Sequence, residues 1–221
     1  MSHYQVNEFT QSQGHGLFWD SQIREKVFSL APVKNDSKKY DIDCNENKFD
    51  SCENVSIKTS QNGGISCGDI IRFYDADFSK KYTIIILRYS QISDKKKIVE
   101  VIELDYNQKV RDFLFGGCPI EVLDEYNQMV RSIPPGTLTK EQKKIYKSRK
   151  IELEKEYGMV ITINPKVDSK SQRRVQCSIK DISPILEKFP DSLISRSHLP
   201  EVRGVMISEE ITSGPRKRNK K

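Results

Sequence analysis

Between Lys38 and Leu104 the chain carries five short runs rich in Ile, Val and Tyr, each bounded by polar residues. They are Lys38–Cys44, Asn54–Thr59, Asp69–Tyr74, Tyr82–Tyr89 and Ile98–Leu104, with Asn45–Glu53 as a polar loop and Gln61–Gly64 as a turn. Runs of this length, rich in β-branched and aromatic side chains, predict strands, and five in succession predict a mostly antiparallel or mixed sheet. The flanking sequence has a different period. Over Leu17–Leu30, Phe18, Ile23, Val27 and Leu30 recur at helical spacing, with Asp20 or Ser21 near the expected start and Trp19 expected in the core. After Tyr106, helices are expected over Gln108–Phe115, Ile120–Ser132 and Lys140–Tyr157. Pro134-Pro135-Gly136 separates the last two, and Thr139 is placed to cap the third. Strand signals return at Val160–Asn164 and Val175–Ile179, and short mixed elements fill Pro184–Ile207. The expected class is α/β in the α+β sense: a mixed central sheet flanked by helices, with a polar arm over 1–16, a folded domain over 17–207 and a basic disordered tail over 208–221.

Composition narrows the setting. Charged residues make up 31% of the chain against 36% hydrophobic, but the apolar residues are periodic, so a packed core is expected. No run approaches the ~18–20 apolar residues of a membrane span. Met1–Thr10 is polar and has no secretory signal pattern, so a cytoplasmic or nuclear setting is expected. The five cysteines, Cys44, Cys52, Cys67, Cys118 and Cys177, form no CxxC pair and read as reduced structural thiols rather than a disulfide framework or zinc knuckle. Net charge is +6, but Arg216, Lys217, Arg218, Lys220 and Lys221 supply +5 of it, leaving +1 for everything before Gly214. Affinity for nucleic acid must then come from local patches and from this tail, which also suits a nuclear localisation signal.

Chemistry is carried by acids and a lysine on the first two strands. Metal-assisted phosphodiester cleavage needs carboxylate oxygens on the metal and a cation near the attacking water or scissile phosphate. Side chains two apart on a strand share a face, so an acid-x-Lys triplet delivers both groups together. Asp41 lies in Tyr40-Asp41-Ile42 on the first strand, Lys58 in Ser56-Ile57-Lys58 on the second, and Glu25 on the preceding helix. At these points, roughly Leu17–Tyr74, the sequence resembles the PD-(D/E)xK nuclease superfamily, which includes type II restriction endonucleases. It departs from that pattern at Ser56, where the triplet begins with a hydroxyl instead of an acid. Another acid must then reach the metal; Glu25, Asp43, Glu46, Glu53 and Asp69 are the candidates, with Glu25 first by position.

The resemblance implies a restriction-endonuclease-like core and a Mg²⁺-dependent phosphodiester hydrolase cutting double-stranded DNA, probed at a specific sequence by a homodimer whose symmetry matches that of its site. Asp41 and Glu25 would hold the metal, and Lys58 would position water or stabilise charge on phosphorus. Contacts to DNA are expected from Gln13 and His15 before the helix and from Lys170, Arg173, Arg174 and Gln176 in the basic segment after Lys166. The mixed-charge segment Lys140–Lys155 reads instead as a solvent-facing helix laced with i,i+4 pairs. The competing expectation is a non-catalytic nucleic-acid-binding or structural protein that uses its basic loop and tail.

Overall fold

The computed structural model describes residues 14–32, 39–167 and 173–213. In chain order the elements are α1 (Gly14–Gln22), which continues as a π-helical turn (Ile23–Val27), β1 (Glu53–Ser60), β2 (Ile65–Asp69), α2 (Ile70–Tyr74), β3 (Lys81–Ile92) and β4 (Lys95–Asp105). Then come α3 (Gln108–Phe115), α4 (Ile120–Ser132), α5 (Lys140–Glu156), β5 (Thr162–Lys166), β6 (Arg174–Ile179), α6 (Ser183–Lys188), β7 (Leu193–Ser197), β8 (Glu201–Val202), β9 (Val205–Met206) and β10 (Glu210–Thr212). The protein is mixed α/β, and no helix among the described residues is long and apolar enough to cross a membrane. The stretch 17–207 expected as one domain contains parts of two compact, interleaved units.

The first unit draws on Met1–Asn62, Lys80–Asp105 and Leu193–Lys221. Its sheet is mixed: β1 runs parallel to β3, β3 antiparallel to β4, and the far side of β4 is shared by β10 and β7, both antiparallel. On α1 and its π turn, Trp19, Ile23 and Val27 fall four apart and are fully buried. They pack in one cluster with Val55 and Ile57 of β1, Ile85, Leu87 and Tyr89 of β3, and Ile98 and Val101 of β4. The Trp19 indole donates to the Ser208 carbonyl at 2.9 Å, a bond between the first helix and the chain just before β10.

A buried ionic network closes the same unit. Arg203, in the left-handed turn between β8 and β9 (φ 51°), donates both terminal nitrogens to Glu53 at 2.8 Å and its Nε to Glu103 at 3.0 Å. Thr83 and Asn47 also donate to Glu53. Burial alone would raise the Glu53 carboxyl, but these hydrogen bonds and the Arg203 charge outweigh it and hold it at about 2.

The second unit comprises Gly63–Ser79 and Tyr106–Ser192. Its three-stranded antiparallel sheet has the order β2-β6-β5. Asn127 on α4 is buried and accepts a hydrogen bond from the Val175 amide of β6 at 2.9 Å, fixing helix to sheet. Tyr126 donates to the Tyr146 carbonyl of α5 at 2.9 Å. Gly116 ends α3 with φ 61°, and a Cβ there would lie 1.6 Å from the Tyr157 carbonyl oxygen, so no other residue fits without displacing that backbone.

Thr139 caps α5 as expected and does so within a capping box: its Oγ1 accepts from the Gln142 amide while Gln142 Oε1 accepts from the Thr139 amide. Thr139→Ala is expected to lower stability by about 1 kcal/mol, measurable as a fall in denaturation midpoint with unchanged slope. Lys150–Glu154 and Arg149–Glu152 pairs lie along this helix, the i,i+4 and i,i+3 contacts that its mixed charge implied.

Several expected elements differ. Asp69–Tyr74 is not a strand: Asp69 ends β2 and its carboxylate accepts from the Ile71 and Arg72 amides, nucleating α2. For Lys38–Cys44 the described part holds a single bridge, Ile42 to Val55, before a turn. The first helix begins at Gly14, so Asp20 is internal to it and not a cap. The tail expected to be disordered from Ser208 contains β10, which pairs with Lys95–Lys97 of β4; Gly214–Lys221 lies outside the described residues.

Candidate active site

Asp41 and Lys58 meet at the edge of the first unit's sheet. The Ile42–Val55 bridge lays the chain around Asp41 antiparallel to β1. There the Asp41 Oδ2 accepts from the Ile57 backbone amide at 2.7 Å and from Lys58 Nζ at 3.0 Å. The two side chains are 30% and 24% exposed, which leaves the pair open to a ligand yet only partly screened by water. Arg24 braces the segment from behind: its Nη1 donates to the Asp41 carbonyl, and its Nε donates to the Ala31 carbonyl at 3.0 Å.

The helix acid at this place is Asp20. Burial, and next the charge of Asp41, push its carboxyl up to about 7, while Lys58 and Arg24 pull the other way. All three groups are therefore close enough to be felt electrostatically. Its Oδ1 is buried and has no hydrogen-bond partner among the described residues. Buried polar atoms are normally satisfied, so an orphaned carboxylate oxygen beside a second carboxylate marks a place for a cation or an ordered water.

The other sequence candidates fall in varied places. Glu25, first choice for the helix acid, stands in the π-helical turn, half-buried, with no described contact to Asp41 or Lys58. Ser56 is buried and accepts a hydrogen bond from the Tyr82 hydroxyl at 3.0 Å, and Tyr82 packs edge-on against Tyr40, which keeps that hydroxyl from a metal. Glu53 is consumed by Arg203, and Asp69 by the cap of α2. Asp43 does not share a strand face with Asp41, because the chain turns after Ile42: it accepts from the Asn45 amide and side chain. With Glu46, Lys39, Tyr40 and Asn45 it lines an open pocket of about 420 Å³. Among the described residues no group of three or more His, Cys, Asp or Glu is disposed to hold a metal ion.

Of the expected DNA contacts, Gln13 and Lys170 lie outside the described residues, and the side chain of His15, on α1, is likewise not described. Arg173 donates to the Arg131 and Ile133 carbonyls at the end of α4, a structural role. Arg174 is the first residue of β6 and Gln176 lies within it, the strand edge and strand expected there.

Asp20 and Arg24 are the residues that sequence reasoning passed over. The signal was present: they stand four apart on the helix, flanking the buried Trp19–Ile23–Val27 seam. Neither family models, curated proteins nor solved structures give a match to this chain.

Proposed function

We propose that the protein is a Mg²⁺-dependent endonuclease acting on double-stranded DNA, with a restriction-endonuclease-like catalytic centre at Asp41, Lys58 and Asp20. The observation that carries this reading is the contact of Lys58 Nζ with Asp41 Oδ2 at 3.0 Å on a sheet edge, with the orphaned Asp20 oxygen nearby. Two hard carboxylates suit Mg²⁺, which is commonly held by one or two carboxylates, its own waters and substrate phosphate. Asp41 Oδ2 is taken by Ile57 and Lys58, so Oδ1 and the Asp20 Oδ1 are the oxygens that fit the ion. The ion, when bound, would polarise the scissile phosphate and lower the pKa of a coordinated water. Lys58 keeps an ammonium beside that phosphate, where it offsets charge developing on the phosphoryl oxygens. Ile57 and Arg24 fix the Asp41 carboxylate and backbone, so little reorganisation is needed on binding.

The order of these elements also supports the reading: a helix with an acid, an antiparallel partner carrying Asp41, a strand carrying x-x-Lys, then a parallel neighbour. Sequence-specific cutting of both strands at a symmetric site would use two copies of the chain.

The test is incubation with long DNA, with and without Mg²⁺, for the native chain, Asp41→Ala and Lys58→Ala. Discrete metal-dependent fragments that vanish in both variants are expected. Band shifts that persist in EDTA and in both variants, with no cleavage by the native chain, would mean a non-catalytic DNA binder.

A further inference from the structure

The long helix α5 sorts its charge by face. Gln142, Tyr146, Arg149 and Leu153 form its inner seam, with Tyr146 and Leu153 buried and the other two half-buried. At about 3.6 residues per turn, the line diametrically opposite that seam runs through positions spaced four, three, four and four apart. Those positions are Lys140, Lys144, Lys147, Ile151 and Lys155, and all five are exposed. The helix thus carries four lysines and no acid along its outer line.

The ion pairs of α5 lie off this line. Lys150 meets Glu154 at 3.6 Å and Arg149 meets Glu152 at 3.5 Å. Glu154 is further committed by accepting from the Ile163 amide at 3.0 Å. The acids Glu141, Glu152 and Glu156 fall together on one flank, between the outer line and the inner seam. None of the four outer lysines has an ion pair or side-chain hydrogen bond among the described residues. A solvent-facing helix with random placement would interleave its signs. Here the unpaired cations are aligned, which complements a polyanion with closely spaced charges.

We infer that the outer line of α5 docks on the phosphate backbone of duplex DNA, independently of sequence. The dimensions agree. At about 1.5 Å per residue, Lys140 and Lys155 lie about 22 Å apart along the axis. One DNA strand presents a phosphate about every 3.4 Å of its axis, so the row spans about six of them. Each lysine that meets a phosphate releases condensed counterions, which supplies affinity without reading bases. A lipid surface fits less well, because a helix lying on a membrane turns an apolar face outward. The exposed isoleucines of α5, Ile145 and Ile151, stand about a third of a turn apart and make no such face. The inference rests on the proposed function only in taking duplex DNA as the ligand.

The test uses the full chain in EDTA, so that cleavage is silent, with labelled duplex DNA of random sequence. Affinity is measured from about 50 to 200 mM salt, the range over which phosphate contacts weaken steeply. The native chain is compared with Lys144→Ala/Lys147→Ala and with Lys109→Ala/Lys180→Ala, which removes as much charge from exposed positions outside α5. The α5 variant is expected to bind about tenfold or more weakly at low salt, on every sequence alike. Its plot of log affinity against log salt should be shallower by about two, one for each lost phosphate contact. The variant outside α5 should keep the native slope. Alanine favours helix, so the α5 variant should stay folded, which thermal unfolding checks. Lys144→Gln/Lys147→Gln, which keeps longer stems, gives a second readout.

A native slope in the folded α5 variants would overturn the inference. So would an equal loss in the variant outside α5, which would make net charge alone responsible. A native chain that binds no duplex DNA, or that leaves it for vesicles of phosphatidylcholine and phosphatidylserine, would overturn it as well. A native chain that cuts DNA while the α5 variants bind as before overturns this inference and leaves the nuclease reading standing. Binding that depends on α5 in a chain that never cuts does the reverse.

Discussion

Asp20→Asn is expected to give a protein that is more stable than the native chain above neutral pH and has lost metal-dependent cleavage. The native carboxyl is pushed up to about 7 by burial and by Asp41. For an acid raised in this way, both folded and unfolded chains are protonated below the ordinary aspartate value of 3.8. Between there and about 7 the folded chain keeps a proton that the unfolded chain releases, so stability falls as pH rises through that window and stays low above it. At about 1.4 kcal/mol per unit the full shift is worth roughly 4 kcal/mol. Asp20 retains partial exposure, and screening brings the expected gain on neutralisation to about 1–3 kcal/mol. Urea denaturation in EDTA at about pH 8 and pH 5 measures it, with the larger gain at the higher pH. Cleavage should fall at least about a hundredfold, since the substitution removes a metal oxygen. A variant that is less stable at the higher pH, or that still cuts, would contradict this account of Asp20.

Arg203→Met should cost about 3–5 kcal/mol, because it strands two buried carboxylates, Glu53 and Glu103, without their shared cation. Adding Glu53→Gln to that variant is expected to recover part of the loss, since the uncompensated charge rather than the absent contact dominates it. The same network predicts the acid limb of the stability curve. Glu53 is held at about 2, below the ordinary glutamate value of 4.5. Its contribution is therefore complete above about pH 4.5 and is lost as pH falls toward 2, an effect of roughly 3 kcal/mol. Denaturation midpoints measured down that range should show the loss in the native chain and not in the double variant. A cost below about 1 kcal/mol for Arg203→Met would mean that water reaches the carboxylates.

The strands at Asn54–Thr59, Tyr82–Tyr89 and Ile98–Leu104 and the helices after Tyr106 were legible because burial imposes a period on their side chains. Asp69–Tyr74 misled for a local reason: Ile-Ile-Arg-Phe-Tyr has strand composition, yet a bulge beside Gly68 and the Asp69 side chain turn it into a helix. Capping chemistry outweighed propensity there. At the site, Asp41 and Lys58 were legible because strand spacing announces an x-x-Lys edge. Asp20 was hidden because an acid near a helix start reads as a cap, and the helix is already formed at Gly14, three residues before its apolar pattern at Leu17. The interleaving of two units left no local trace either, since the boundaries at Asn62, Lys80, Asp105 and Leu193 fall in ordinary turns and strand ends.

The bond from the Trp19 indole to the Ser208 carbonyl has a consequence for biosynthesis. A ribosome makes the helix bearing Asp20 well before its anchor, which lies 189 residues further along from Trp19. Until Ser208 has left the exit tunnel the indole next to Asp20 has no acceptor there, and until Arg203 has left it Glu53 lacks its two guanidinium hydrogen bonds. The first helix and the Glu53 carboxylate thus gain these ties only once Arg203 and Ser208 have emerged, and a chain released before then lacks both.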